Sequence, residues 1–190
     1  RILWAAGMDV LDLDQMEVDG ELIFFPLGGS NLALWSSKLA HLDRPEFHLY
    51  DRDEPPPKKP KYADAADEVN QRSRCAAVHT TKREMENYVH FQAVVDAYAA
   101  NGTVVPISAQ WTDFDDAPAI VAEALHGMST GGNPWSTLTK EEQDRKASRV
   151  KKMLNGQALL KMNKSMLDQT DPNGDVVSWF AEMKRLALLA

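Results

Sequence analysis

The strongest constraint on the fold is a repeated arrangement in which a short apolar run passes straight into polar residues, with a helical stretch between the two copies. Phe47-His48-Leu49-Tyr50 runs into Asp51-Arg52-Asp53, and Cys75-Ala76-Ala77-Val78-His79 runs into Thr80-Thr81-Lys82. Between them, Ala63 to about Arg72 is helical in composition. Two strands joined through a helix run parallel, because a tight hairpin cannot connect parallel neighbours. The pattern therefore predicts an α/β fold with a mostly parallel sheet flanked by helices. Glu21-Leu22-Ile23-Phe24-Phe25-Pro26-Leu27 is nearly all apolar and predicts a further strand buried on both faces, closed by the turn Gly28-Gly29-Ser30-Asn31. Leu32, Leu34, Trp35 and Leu39 then predict a helix capped by Ser30 or Asn31.

Beyond the strands, Glu54 to Lys61 holds four prolines and reads as an exposed, stiffened loop. Arg83 to Ala100 carries Val89, Phe91, Val94, Val95 and Tyr98 at helical spacing and ends at Asn101-Gly102. Residues 103–115 read as irregular, and Asp116 to His126 as a helix stopped by Gly127. The last third changes character after a loop over 129–134. Thr139-Lys140-Glu141-Glu142 is a capping box opening a basic helix that ends at Asn155-Gly156, and a further helix is expected over Gln157 to Leu167. After the turn Asp171-Pro172-Asn173-Gly174, the residues Val176, Trp179, Phe180, Met183 and Ala187 form one apolar stripe on a final helix. The expected division is an α/β domain over 1–126 and a helical appendage over 127–190.

Composition narrows the function classes. With 21 Lys+Arg against 28 Asp+Glu, the formal net charge is −7, yet the window 140–164 holds eight basic and three acidic residues. Local field governs partner choice more than the total does, so Arg145, Arg149 and Lys152 are candidate nucleic-acid contacts on a basic helix; a plain solvated helix face is the competing reading. The single cysteine, Cys75, excludes an internal disulfide and a cysteine-based zinc site, and no apolar run reaches the length of a membrane span. A cytoplasmic location is expected. Arg1-Ile2-Leu3-Trp4-Ala5-Ala6 reads as a helix already under way, with no capping residue before it, and predicts that the natural chain is longer.

Asp51 and Asp53 are two residues apart at the end of a strand, so an extended backbone points both carboxylates the same way, at the carboxyl edge of a parallel sheet. Two like charges so placed call for a cation, and hard oxygen donors suit Mg²⁺ or Mn²⁺. Aspartates are also common in turns after strands, so the pair alone leaves both readings open. Thr80-Thr81-Lys82-Arg83-Glu84-Met85-Glu86-Asn87-Tyr88 follows the next strand and brings lysine and glutamate to the same sheet edge. There a carboxylate can complete a metal shell and a lysine can stabilise charge on a phosphate; acidic residues at a helix start are the alternative explanation.

Taken together and in order, the Gly28-Gly29-Ser30 turn, Tyr50-Asp51-Arg52-Asp53, and Lys82-Arg83-Glu84-Met85-Glu86-Asn87-Tyr88 resemble the TOPRIM domain. The likeness is to the nuclease half of the OLD-family (overcoming lysogenization defect) proteins and covers roughly residues 1–126. The resemblance implies a TOPRIM/Rossmann-like sheet and a Mg²⁺- or Mn²⁺-dependent endonuclease acting on DNA more than on RNA. It further implies an ABC-type ATPase domain or subunit as partner and a role in phage defence; the oligomeric state stays open, a homo-oligomer being one option because nucleases that cut both strands often pair their sites. It assigns Asp51, Asp53 and Glu86 as metal ligands, with Glu84 the rival for the place of Glu86, and Lys82 as the stabiliser of the transition state. The glutamate that ends the first TOPRIM strand has no counterpart here; Glu17 and Glu21 fall too late. Its absence keeps a second reading in play, a non-catalytic regulatory or assembly module that docks an ATPase through its C-terminal helices. A response-regulator-like domain is a third, disfavoured by the proline loop and the late basic helices.

Overall fold

A computed structural model describes residues 1–26, 32–128 and 133–188, apart from the side chains of Ala33, Trp35 and Ser36. The elements in chain order are α1 (Ile2–Ala5), α2 (Leu13–Val18), α3 (Leu32–Leu39), β1 (Glu46–Tyr50), α4 (Ala63–Asn70), β2 (Cys75–His79), α5 (Phe91–Ala100), α6 (Ala117–Gly127), α7 (Lys140–Met153), α8 (Lys164–Thr170) and α9 (Asp175–Ala187). The protein is mixed α/β. Among the described residues its sheet consists of β1 and β2, which pair in parallel with Glu46 opposite Cys75 and Tyr50 opposite His79.

Both faces of this pair are covered, as parallel strands require. Phe47, Leu49 and Val78 turn toward the larger core, formed by Leu3, Tyr88, Val94, Val121, Val150, Leu154 and Trp179 among others. On the opposite face Tyr50 and Ala77 join Leu32, Ala66 and Val69, which α3 and α4 supply. Alternation along each strand thus divides its side chains between two cores. The larger core draws on residues from both sides of residue 126.

The capping box forms as expected: the Glu142 amide donates to Thr139 Oγ1 at 3.3 Å, and the Thr139 amide donates to Glu142 Oε2 at 2.8 Å. Four of the five stripe positions join the core, Val176 and Trp179 buried and Phe180 and Met183 packed against it, while Ala187 at the end of α9 is exposed. Gly174, at φ 73°, takes the left-handed turn that starts α9, a conformation costly for a residue with a Cβ.

Three expectations are corrected. Glu21–Pro26 forms no strand: Ile23 is 81% exposed, Phe24 and Phe25 are exposed too, and the Phe24 amide donates to Glu17 Oε1 at 3.2 Å rather than to a strand neighbour. Apolar composition makes a buried strand only where an edge is available to pair with, and this segment lies on none. The turn over 28–31 and its capping residues lie outside the described residues, as do positions 129–132 of the later loop. The helix expected over Arg83–Ala100 is two pieces, a 3₁₀ turn at Met85–Tyr88 and then α5. Between them Val89 and His90 are extended, and His90 Nδ1 caps the second piece by accepting from the Gln92 amide at 3.1 Å. Finally, α7 does not stop at Asn155-Gly156. It continues as a widened π turn over Leu154–Ala158 and a 3₁₀ turn to Lys161, because Leu154 and Ala158 are both fully buried. The next helix starts only at Lys164, where Asn163 Oδ1 accepts from the Met166 amide at 3.0 Å.

Candidate functional site

The carboxyl ends of β1 and β2 open onto one polar cluster. Past Tyr50, Asp51 is half-buried, and its Oδ1 accepts from the Met85 amide at 3.0 Å. Past His79, the chain from Thr80 to Tyr88 is tied to the β1 side. Thr80 Oγ1 accepts from the Arg52 amide at 2.9 Å, and the Arg83 carbonyl accepts from the Asp53 amide at 2.9 Å. On its far side, the Arg83 amide donates to the Asp113 carbonyl at 2.7 Å, and Asn87 Nδ2 donates to the carbonyls of Thr112 and Asp115 at 3.0 and 3.1 Å. This stitching presents Glu86, only 4% exposed, beside Asp51, with Glu84, 7% exposed, beside Glu86.

Their counter-charge comes from far along the chain. Lys151 on α7 places Nζ 2.5 Å from Glu84 Oε2 and 3.6 Å from Glu86 Oε1. One helical turn later, Asn155 Nδ2 donates to Glu86 Oε1 at 2.8 Å. Burial pushes the Asp51 carboxyl above its ordinary range and the neighbouring Glu86 charge adds to the rise, while the Met85 amide and Lys151 oppose it. Glu84 is likewise raised by burial, against the pull of its bond to Lys151. Burial alone would lower Lys151; the bond to Glu84 and the charges of Glu86, Glu84 and Asp51 hold it above the ordinary lysine value instead. Glu84 and Glu86 therefore share one ammonium, and Asp51 lies within reach of the charges of Glu86 and Lys151.

The expected site residues separate into two groups. Asp51 and Glu86 meet in this cluster, and Glu84 joins them rather than replacing Glu86. Asp53 has other partners: its φ of 61° ends the extended backbone on which the shared direction of the two aspartates depended, and its carboxylate lies 3.7 Å from Lys61 of the proline loop. Lys82, 9% exposed, pairs with Asp113 and sits 5.4 Å from the centre of the Tyr88 ring. Arg145, Arg149 and Lys152 are exposed along α7, the helix whose Lys151 enters the cluster.

Sequence reasoning missed Lys151 and Asn155 as site residues. The usable signal was their four-residue spacing, which sets both on one helix face beside the buried line Val150, Leu154, Ala158.

Asp51, Glu84 and Glu86 supply oxygen donors of the kind Mg²⁺ and Mn²⁺ take, and the cluster already accommodates one positive charge, that of Lys151. In the present arrangement, however, no three carboxylate, imidazole or thiol groups among the described residues are gathered closely enough to hold a metal ion. The donor chemistry fits such an ion, and the spacing is that of a cluster closed on a lysine.

A second buried network lies on the other sheet face. Glu46 accepts from both Arg72 nitrogens at 3.0 and 2.8 Å and pairs with His48 Nε2 at 2.7 Å, and His48 Nδ1 meets the Tyr50 hydroxyl at 2.8 Å. Burial pushes the Tyr50 hydroxyl up to about 12. Its members satisfy one another, which marks it as a structural tie.

Compared with known proteins, the chain matches no family model, no curated protein and no solved structure. Among the described residues no helix is long and apolar enough to cross a membrane.

Proposed function

We propose that the protein is a TOPRIM-like, metal-dependent nuclease that hydrolyses phosphodiester bonds, of DNA more than of RNA, and works with an ABC-type ATPase in defence against phage. The observation that carries this reading is the set of buried or half-buried acids Asp51, Glu84 and Glu86 at the carboxyl ends of two parallel strands, the last two paired with Lys151, at the edge where α/β folds place their chemistry. A bound Mg²⁺ or Mn²⁺ would supply an activated water and charge neutralisation at the phosphate. Asp51 and Glu86 would hold it, with Glu84 and Asp53 the further carboxylates within the same stretch of chain. Met85 orients Asp51 through its amide, and Asn155 orients Glu86 through its side-chain nitrogen. Lys151 balances the charge of Glu84 and Glu86. The exposed Arg145, Arg149 and Lys152 would follow the phosphate backbone on the same helix.

The test is cleavage of plasmid DNA and of tRNA in Mg²⁺, Mn²⁺ or EDTA, beside Asp51→Ala. Cutting that needs the metal and disappears in the variant is expected. Failure to cut either substrate, with the ATPase partner present, sinks the nuclease reading and leaves the assembly module. One observation favours that second reading: the ammonium of Lys82, the lysine the family resemblance casts as catalytic, is engaged by Asp113.

A further inference from the structure

The loop that leaves β1 is a cationic surface with no part in the acidic cluster. Residues 52–61 hold four basic and two acidic side chains, in a chain whose net charge is −7. Lys58, Lys59 and Lys61 are all exposed, the first and last with 69% and 58% of their side chains in solvent. Lys58 pairs with Glu54 at 2.9 Å and Lys61 with Asp53 at 3.7 Å, while Lys59 has no ion pair among the described residues. Pairs so exposed contribute little and are screened by salt, so a phosphate oxygen competes well for either lysine. The loop is also held in shape. Pro55, Pro56, Pro57 and Pro60 fix their own φ angles, and the Lys58 amide donates to the Pro55 carbonyl at 3.1 Å. Arg52 braces it from within: Nε donates to the Glu54 carbonyl at 3.0 Å and a terminal nitrogen to the Lys58 carbonyl at 3.2 Å. A loop ordered beforehand loses less conformational freedom when it meets a partner.

The same residues fix where the loop stands. Arg52 and Asp53 follow directly on Asp51, and their amides donate to Thr80 Oγ1 and the Arg83 carbonyl, both at 2.9 Å. Lys61 then folds back on Asp53, which brings the loop to the carboxyl end of β1. On α7, Lys151 reaches Glu84 while Arg145, Arg149 and Lys152 lie in solvent, so two separate elements bring cations to the border of the cluster. We propose, resting on the nuclease reading, that Lys58, Lys59 and Lys61 form a preordered contact for the phosphate backbone of duplex DNA, distinct from that of α7. An ammonium is a point charge without a fixed fork, so this contact positions a strand and selects no sequence. The group it recognises, a phosphodiester, is common to DNA and RNA, and the two are separated by experiment.

The experiment is fluorescence anisotropy of a short DNA duplex and of tRNA across a salt series, in EDTA so that no cutting enters. Wild type is compared with the triple variant Lys58→Gln, Lys59→Gln, Lys61→Gln, and with the triple replacement of the same lysines by Arg. A control of equal charge change replaces the exposed Lys38, Lys164 and Lys184 of α3, α8 and α9 by Gln. On the duplex, the loop Gln variant is expected to flatten the slope of log affinity against log salt by about 0.9 for each lost contact, up to about 2.7 in all. The Arg variant and the control are expected to keep the wild-type slope. A loop Gln variant with the wild-type slope, or with a fall no larger than the control's, overturns the interface and leaves the nuclease reading to the cleavage assay. A fall seen on tRNA and not on the duplex overturns the assignment to DNA. An Arg variant as flattened as the Gln variant overturns the charge basis of the contact. Lysine-dependent binding of the duplex by a protein that cuts neither substrate supports the interface and overturns the nuclease reading alone.

Discussion

Tyr88 offers the most direct test of how the acidic cluster is held in place, because one side chain ties the segment carrying Glu84 and Glu86 to the C-terminal helices. It is fully buried, its ring meets Trp179 edge-on at 5.2 Å, and its carbonyl accepts from Thr170 Oγ1 at 2.8 Å. Its hydroxyl donates to Asp175 Oδ2 at 2.7 Å and accepts from the Thr81 amide at 3.1 Å. Tyr88→Phe keeps the ring and removes these last two bonds together with the 3.2 Å contact between the Tyr88 and Thr81 hydroxyls. A hydrogen bond to a charged group contributes about 1.5–3 kcal/mol, and Asp175 retains the Thr81 hydroxyl as a donor, so the expected loss lies near the lower end, about 2 kcal/mol. In a chain of this length that is a fall in Tm of about 4–8 °C. Urea denaturation of Tyr88→Phe, Asp175→Asn and the double variant isolates the pair, with an expected coupling of about 1 kcal/mol or more. Burial and Asp175 both raise the Tyr88 hydroxyl above its ordinary value, so the bond persists through neutral and mildly alkaline pH. A loss in Tyr88→Phe below about 0.5 kcal/mol, the range of an inconsequential surface change, would refute the argument that this hydroxyl anchors the segment.

Asp51→Asn is expected to stabilise the metal-free protein at neutral pH, since the amide keeps an oxygen for the Met85 amide and removes a buried charge beside Glu86. The sign follows from the raised carboxyl: folding penalises its ionised form, so the gain is present above the folded value, shrinks on acidification, and vanishes below the ordinary 3.8, which unfolding curves across that range will read. Thr139→Ala removes the capping box of α7 and is expected to cost about 1 kcal/mol in urea unfolding. Gly156→Ala is expected to stabilise by about 0.5–1 kcal/mol, because the position lies within a helical run at no positive φ and an added Cβ meets nothing within 4 Å. Replacing Arg145, Arg149 and Lys152 together by Gln is expected to flatten the salt dependence of DNA binding by about 0.9 in log–log slope for each phosphate no longer neutralised, measured by fluorescence anisotropy.

What the sequence made legible were features whose cause is local. β1 and β2 appear within a residue of expectation because short apolar runs bounded by polar clusters have few other ways to be buried. The Thr139 capping box and the Val176–Met183 stripe are likewise complete in themselves, one as a hydrogen-bond pair three residues apart and the other as a helical period. Glu21–Pro26 shows the converse. Its composition called for burial, but a strand needs an edge to pair with, and composition does not say whether one exists. Val89 and Phe91 held helical spacing across Arg83–Ala100, yet Tyr88 is drawn beneath Trp179 and the chain is extended at Val89 and His90 before the helix resumes. The candidate site divides along the same line. Asp51 and Glu86 were legible from their places after strands, whereas the partners of Lys82 and Asp53 depended on Asp113 and Lys61, which only folding brings near.

The position of Lys151 carries the same logic one step further, from placement to chemistry. Read as sequence, it is one of eight basic residues between 140 and 164 and belongs with its exposed neighbours Arg149 and Lys152. Its distinction comes from Val150, Leu154 and Ala158, whose burial fixes the rotation of α7 and its widened turn and so sets the adjacent line, Lys151 and Asn155, against Glu84 and Glu86. Widened helical turns recur at functional sites because they allow an apolar line to stay buried while a neighbouring polar side chain is re-aimed. Here the turn begins at Leu154, immediately before Asn155 reaches Glu86. The apolar residues of α7 are therefore what convert one lysine of a basic helix into the counter-ion of the acidic cluster, while Arg145, Arg149 and Lys152 remain in solvent. A single helix in this way presents one charge inward to the carboxylates and others outward to solvent.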